Sequence, residues 1–247
     1  MERGSRLTGN GKEKLDPRWR ADELLARAFE LAARLHAGQV RKGTDIPYIS
    51  HLMAVSSMVT QYGGSDVQAA AGLLHDSIED ASQTVALITS ALRDDGAVGK
   101  IVEDCSDDDG TGTPEEKAAR WAERKELYHE KLKHKSPSDP SLLVSLCDKI
   151  HNCESSAEDL AAVLRNGGSV SDFWSKFNAG DSCQQWYYEG LYSAFAGKNL
   201  GADAQPAVVR FRAAIDRLFG DREIESCNKN HGHGPDATRD KTTKDDQ

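Results

Sequence analysis

Apolar residues return every three to four positions through most of the chain, and alternation of apolar with polar positions is almost absent, so helices are expected and strands are not. Residues 21–37 carry Leu25, Ala28, Phe29, Ala32 and Leu35 on one stripe and end at Gly38. A second helix is predicted from Tyr48 to Tyr62, entered through Pro47 and stopped by Gly63-Gly64. A third opens on Ser65-x-x-Gln68, a capping-box pattern, and is expected to reach about Asp80. Further helices are predicted near 84–93, 97–105, 115–134, 139–164, 184–196 and 206–219. No internal repeat is visible. The pattern reads as an all-α protein with a single domain over about residues 21–220. Residues 1–20 are polar and predominantly basic and read as a flexible arm. Residues 221–247 lack apolar periodicity and read as a disordered tail.

Composition narrows the function. The chain has 247 residues, 38% of them hydrophobic and 29% charged, which suits a globular domain with a real core. Its 31 Lys+Arg against 40 Asp+Glu give a net charge of −9, which argues against a general nucleic-acid binder. A local basic loop could still take a small anion. No apolar run is long enough for a membrane span and no signal-peptide stretch stands at the N-terminus, so a cytoplasmic location is expected, with reduced thiols. The five cysteines contain no CxxC pair. The acidic loop 103–116 contains Asp107-x-Asp109-x-Thr111-Gly112, half of a calcium loop, but Ala118 stands where a bidentate Glu is needed, so a solvated connector is expected. Cys227, His231 and His233 in the tail are expected to bind nothing.

Chemistry concentrates on three segments. Continued to Asp80 at about 100° per residue, the third helix sets His75 at 0°, Glu79 near 40°, Asp76 near 100° and Asp80 near 140°. Ala70, Ala71, Leu74 and Ile78 fall on the opposite arc. Three carboxylates within two turns repel unless a cation sits among them. This helix alone fits a metal site and a solvated acidic face equally well. RKGTDIPYISH adds Arg41 and Lys42 on a Gly-containing loop, then His51 in the first turn of a helix. LVSLCDKIHNCESS embeds Asp148 among Leu143, Val144, Leu146 and Ile150, where a carboxylate is costly unless it binds a cation or a donor. Asn152 lies one turn on.

The order His51, His75-Asp76, Asp148 resembles that of the HD-domain metal-dependent phosphohydrolases. HAGQVRKGTDIPYISH, LLHDSIED and LCDKIHN together resemble the (p)ppGpp hydrolase domain of RelA/SpoT-type proteins and small alarmone hydrolases, over about residues 21–195. The resemblance implies an HD-domain helical bundle that removes the 3′-pyrophosphate from (p)ppGpp with one Mn²⁺ per chain. It leaves no room for a synthetase domain, so hydrolysis alone is expected. It makes His51, His75, Asp76 and Asp148 the metal ligands, an N2O2 set that suits Mn²⁺ among divalent ions. Glu79 and Asp80 match the pair that handles the attacking water. Arg41 and Lys42 match a basic loop beside the nucleotide, and Asn152 a sugar contact. Ser155, Lys176 and Tyr187 complete the expected substrate contacts.

Some residues depart from that pattern. One extra residue separates Arg41 from His51, and Cys153-Glu154-Ser155 puts negative charge where a basic residue is usual. Trp174, Trp186, Tyr187 and Tyr188 are candidates to stack on a purine, and helix packing fits each singly as well. His36 in the HAGQ motif is expected to cap or pack, His151 to be structural, and His129 and His134 to be solvated. The expected partner is a small nucleotide, with neither nucleic acid nor membrane, and the oligomeric state is open. An HD hydrolase for another nucleotide, such as a nucleoside phosphate or NADPH, is the alternative within the enzyme class. A catalytically silent alarmone-binding module is the alternative outside it.

Overall fold

The periodic stripes fold as helices wherever a local start signal coincides with an apolar face. In the computed structural model the described residues are 23–81, 83–106, 112–177 and 179–220. The N-terminal arm, the C-terminal tail with Cys227, His231 and His233, and most of the half calcium loop lie outside them. The described residues form eleven helices: α1 Glu23–Leu35, α2 Ile49–Gln61, α3 Asp66–Leu74, α4 Val85–Leu92, α5 Ala97–Cys105, α6 Pro114–Ala119, α7 Trp121–His134, α8 Ser141–Arg165, α9 Val170–Trp174, α10 Asp181–Ala196 and α11 Gln205–Phe219. Among these residues the nearest approach to a sheet is one isolated bridge, Val40 to Pro47. No helix among them is long and apolar enough to cross a membrane.

α8 is the axis of the domain. It packs on α2, α3, α5, α9, α10 and α11. Leu142, Leu146 and Ile150 are fully buried there, each contributing about 1.5–3 kcal/mol by removing apolar surface from water. The second centre of packing is α3, whose Ala69, Ala70, Ala71 and Gly72 are all buried. Such small residues let neighbouring backbones approach. A Cβ at Gly72 would lie 3.1 Å from Ser56 Cα on α2 and 3.2 Å from Ser56 N. Glycine at this position therefore sets how closely α2 and α3 cross.

The predicted cap at Ser65 is present as a reciprocal box. Gln68 N–H donates to Ser65 Oγ at 3.3 Å, and Ser65 N–H donates to Gln68 Oε1 at 3.0 Å. The main differences from expectation lie at three places. α3 ends at Leu74 and residues 75–81 continue as turns. The predicted helix 115–134 breaks at Arg120 (φ −92, ψ 18), which re-aims Trp121 into the core, edge-on to Tyr187. The five-residue α9 is too short for periodicity to reveal, and its Ser169–Asp172 box is the only local signal for it.

Two environments also need correction. His129 is buried: Gly190 lets α10 close on it, and its Nε2 lies 2.9 Å from Tyr187 O. His134 is exposed, as expected. Cys105, Cys147 and Cys153 are free and buried, whereas Cys183 is disulfide-bonded. The absence of a CxxC pair tests only local pairing, so it carried no information on that bond.

Candidate metal centre and substrate cavity

Three elements bring their polar ends to one point. A tight loop, closed by Arg41 N–H to Ile46 O at 2.8 Å and Tyr48 N–H to Gln39 O at 2.9 Å, delivers the chain into α2. His51 then sits in the first turn of that helix, fully buried. His75 caps the C-terminal end of α3, and Asp76 follows it. Asp148 projects from the middle of α8.

Four donor atoms converge. His51 Nε2 lies 3.2 Å from His75 Nε2, 3.2 Å from Asp148 Oδ1 and 3.6 Å from Asp76 Oδ2. His75 Nε2 lies 3.0 Å from Asp76 Oδ2 and 3.4 Å from Asp148 Oδ1. Neighbouring ligands at about 2.1 Å from one ion, as for a small divalent cation, stand about 3 Å apart at right angles, so these separations suit such an ion. His51, His75 and Asp148 form a buried group of metal-binding type. Asp76 is not part of that group, but its Oδ2 stands within 3.6 Å of both imidazole Nε2 atoms.

The other ring atoms settle which nitrogen faces the centre. His75 Nδ1 lies 2.9 Å from Gly72 O. A carbonyl only accepts, so Nδ1 carries a proton and the Nε2 lone pair can serve a metal. His51 Nδ1 lies 2.8 Å from His151 Nδ1. Burial, then His51 and Arg41, push the His151 pKa down to about 4. His151 is therefore neutral, and with its Nδ1 as the acceptor the His51 proton sits on Nδ1 and leaves Nε2 free to face the other donors. Such outer partners orient metal-binding imidazoles. The expectation that His151 is structural misses this contact with His51. The spacing of His151 from Asp148, three residues on one helix, is the signal that would have found it.

The carboxylates are braced in turn. Tyr48 OH donates to Asp76 Oδ2 at 2.6 Å, and burial with the nearby carboxylates holds the phenol well above its ordinary pKa, so it stays a donor. Lys149 Nζ lies 2.6 Å from Asp148 Oδ2, and Asn152 Nδ2 donates to Asp148 Oδ1 at 2.6 Å. Burial opposes charge on both acids. His75 on Asp76, and Lys149 with His75 on Asp148, outweigh it and hold both pKa values well below normal. Burial likewise opposes charge on His75, but Asp76 and Asp148 raise its pKa well above normal.

Glu79 and Asp80 occupy the turns after α3, so the angular projection of a continuous helix does not apply to them. His75 Nδ1 at Gly72 O and Ser77 N–H on Leu74 O, at 2.9 Å each, close the helix there. Both acidic residues are exposed. Asp80 Oδ2 accepts from Gln39 Nε2 at 2.8 Å, and partial desolvation of the carboxyl, although the residue as a whole is exposed, followed by Asp76, raises its pKa.

Beside this centre lies a cavity of about 300 Å³. Arg41, Lys42, Lys125, Lys149 and Lys176 line it, against the single carboxylate of Asp159. Burial and then Lys176 lower the Lys42 pKa. Arg41 is aimed by its own contact, donating to Asn152 Oδ1 at 3.0 Å. Gly43 (φ +77) lets the loop pass within 3.0 Å of the Lys176 stem, measured from the Cβ that glycine lacks. Tyr48, Lys149 and Asn152 line the cavity and also touch Asp76 or Asp148, so cavity and centre share a wall.

Of the residues expected at a substrate, Arg41, Lys42, Asn152, Lys176 and Tyr187 line this cavity. Ser155 lies instead 3.5 Å from His151 Nδ1, and its neighbour Ser156 lines the wall. Tyr188 joins Tyr187 there. Trp174 stacks on Phe219 and Trp186 packs on His129. The unusual charge of Glu154 is met by Arg210 of α11 through two bonds of 2.7 and 2.8 Å. Glu154 thus ties α8 to α11.

Comparison with known proteins bears on the family and the fold. The pattern of the HD domain matches residues 28–179. A Mycobacterium leprae protein named as a probable GTP pyrophosphokinase is 29% identical over 129 residues, which is 52% of this chain and 15% of that protein. A Synechocystis protein named as a probable guanosine-3′,5′-bis(diphosphate) 3′-pyrophosphohydrolase is 39% identical over 74 residues, 30% of this chain and 10% of that protein. The matched segment thus spans a small fraction, 15% and 10%, of these curated relatives. Two solved structures share the fold. One, from Listeria monocytogenes, has TM-score 0.54 and 24% identity over 68% of this chain and 98% of the other. The second, a metazoan ortholog of SpoT described as hydrolysing ppGpp, has TM-score 0.55 and 19% identity over 84% of this chain and 99% of the other.

Proposed function

The chain belongs to the HD-domain family, and we propose that it is a Mn²⁺-dependent hydrolase removing the 3′-pyrophosphate of (p)ppGpp by hydrolysis alone. The observation that carries this reading is the shared wall. A donor set of two imidazole nitrogens and two carboxylate oxygens abuts a cavity with five cationic side chains and one carboxylate. A polyphosphate needs that charge, and hydrolysis needs the donor set beside it.

In this reading His51, His75, Asp76 and Asp148 hold the ion. Two neutral nitrogens with two carboxylates suit a borderline-hard divalent ion such as Mn²⁺. When bound, the ion supplies Lewis acidity that makes water a better nucleophile and draws charge from phosphoryl oxygens. The chain's own groups do the rest. Arg41 offers a planar fork to phosphate oxygens, pre-aimed by Asn152, while Lys42 and Lys176 add point charges. Tyr187 forms wall for the base, and Asn152 faces the sugar. Glu79 and Asp80 orient the water and accept its proton as it adds to the phosphorus attached to the 3′ oxygen. The P–O bond to that oxygen breaks, and the oxygen takes a proton, leaving the nucleotide and free pyrophosphate.

The test is to incubate the Mn²⁺-loaded protein with ppGpp, pppGpp, GTP and NADPH and to separate the products by chromatography. The expected result is pyrophosphate with GDP from ppGpp and with GTP from pppGpp. Turnover of GTP or NADPH in preference would assign the site to another nucleotide.

A further inference from the structure

His36 and Gln39 of the HAGQ segment have no part in the chemistry described above, yet both reach its acidic turn. His36 is buried and stacks on Tyr48, with ring centroids 5.4 Å apart. Its Nδ1 lies 2.6 Å from Gln39 Oε1, and Gln39 Nε2 donates to Asp80 Oδ2 at 2.8 Å. The directions follow from what each group can do. An ionised carboxylate only accepts, so Gln39 must present its amide N–H to Asp80. The amide carbonyl then faces His36, whose Nδ1 must carry the proton. With the amide flipped, a carbonyl oxygen would face a carboxylate. One tautomer of a buried ring thus fixes an amide, and the amide fixes a carboxylate 41 residues further along the chain.

Packing alone does not account for histidine at this position. His36 Nε2 is buried with no hydrogen-bond partner, a cost that a phenyl or isobutyl group would avoid. The same unit also braces the metal side, because Tyr48 N–H donates to Gln39 O and Tyr48 OH to Asp76 Oδ2.

We propose that His36 and Gln39 are positioning residues that hold the Asp80 carboxylate at the attacking water through a directed His36–Gln39–Asp80 chain. This rests on the proposed function, in which Asp80 attends that water. Gln39→Glu keeps an acceptor for His36 and removes the donor to Asp80. Its kcat on ppGpp at saturating Mn²⁺ should fall about 10- to 100-fold, the usual cost of losing an outer partner, with KM and metal content unchanged. His36→Phe keeps the stacked ring and should lose kcat similarly. His36→Asn, which can donate from near the Nδ1 position, should recover most of that loss. A purely structural pair would lower the melting temperature of His36→Phe and leave kcat of the folded variants at the wild-type value, which would overturn the proposal. A second measurement needs neither metal nor nucleotide. Asp80→Ala should move the side-chain amide ¹⁵N and ¹H signals of Gln39, and signals indifferent to that change would overturn the proposal as well. An inactive wild type would sink the proposed substrate, while the amide signals would still decide the hydrogen-bond chain.

Discussion

Lys149→Met should destabilise the metal-free protein and yet tighten its grip on a divalent ion. Lys149 Nζ stands 2.6 Å from Asp148 Oδ2, and both side chains are largely buried. Removing one partner of a buried pair costs about 3–5 kcal/mol, because the other charge is left uncompensated. Asn152 and the two imidazoles still contact Asp148 Oδ1, so the lower end, about 3 kcal/mol, is expected. A cation at the centre would change that sum. Two unit charges about 5–6 Å apart repel by about 3 kcal/mol at an effective dielectric near 20, so Lys149 opposes the ion while it steadies the empty acid. With saturating Mn²⁺ the mutational loss should therefore shrink by at least about half. By linkage the variant must bind the ion more tightly by the same difference, about tenfold for each 1.4 kcal/mol. Urea unfolding of both proteins at pH 8, in EDTA and in saturating Mn²⁺, gives all four free energies. An equal loss in both conditions, or weaker Mn²⁺ binding by the variant, would refute the placement of Lys149 across Asp148 from the ion.

Three other outcomes follow from the same geometry. Arg41→Ala should weaken nucleotide binding by about 1.5–3 kcal/mol, as for a charged hydrogen bond, and flatten its salt dependence without changing metal content; an unaltered KM and salt response would show the loop facing elsewhere. Glu79→Gln should retain the ion and bind ppGpp while single-turnover hydrolysis falls by about 10²–10⁴-fold; a wild-type rate would remove Glu79 from the mechanism, and a lost ion would move it into the ligand set. Because the His75 pKa is raised well above normal, a proton on its Nε2 competes with the ion. Mn²⁺ affinity should then climb about tenfold per pH unit until that pKa is passed, whereas the metal-free protein loses the His75 contribution to stability over the same rise; calorimetric titration that finds a pH-independent affinity would contradict this.

The parts of the site legible in the sequence were those with local signals. Pro47 before His51, the Ser65–Gln68 box before His75, and Asp148 in an apolar stripe each placed a candidate ligand in, or directly after, a helix that the structure contains. What escaped depends on contacts distant in the chain or on one face of a helix. α3 stops at Leu74 because the His75 ring turns back onto Gly72 O, which periodicity does not register. His129 sits in a Lys/Glu-rich helix whose composition averages over all faces, yet its own face meets α10. Glu154 looked out of place until Arg210, 56 residues away, supplied its partner. Gln39 reaches Asp80 only because the loop before α2 folds over the turn after α3.

The most direct test is the metal content of the protein purified without added metal. His51, His75, Asp76 and Asp148 offer converging donors, and an elemental analysis should find about one divalent ion per chain. His75→Ala and Asp148→Ala should each lose it while remaining folded by circular dichroism. A stoichiometric ion retained in both variants would contradict the assignment of these residues as its ligands.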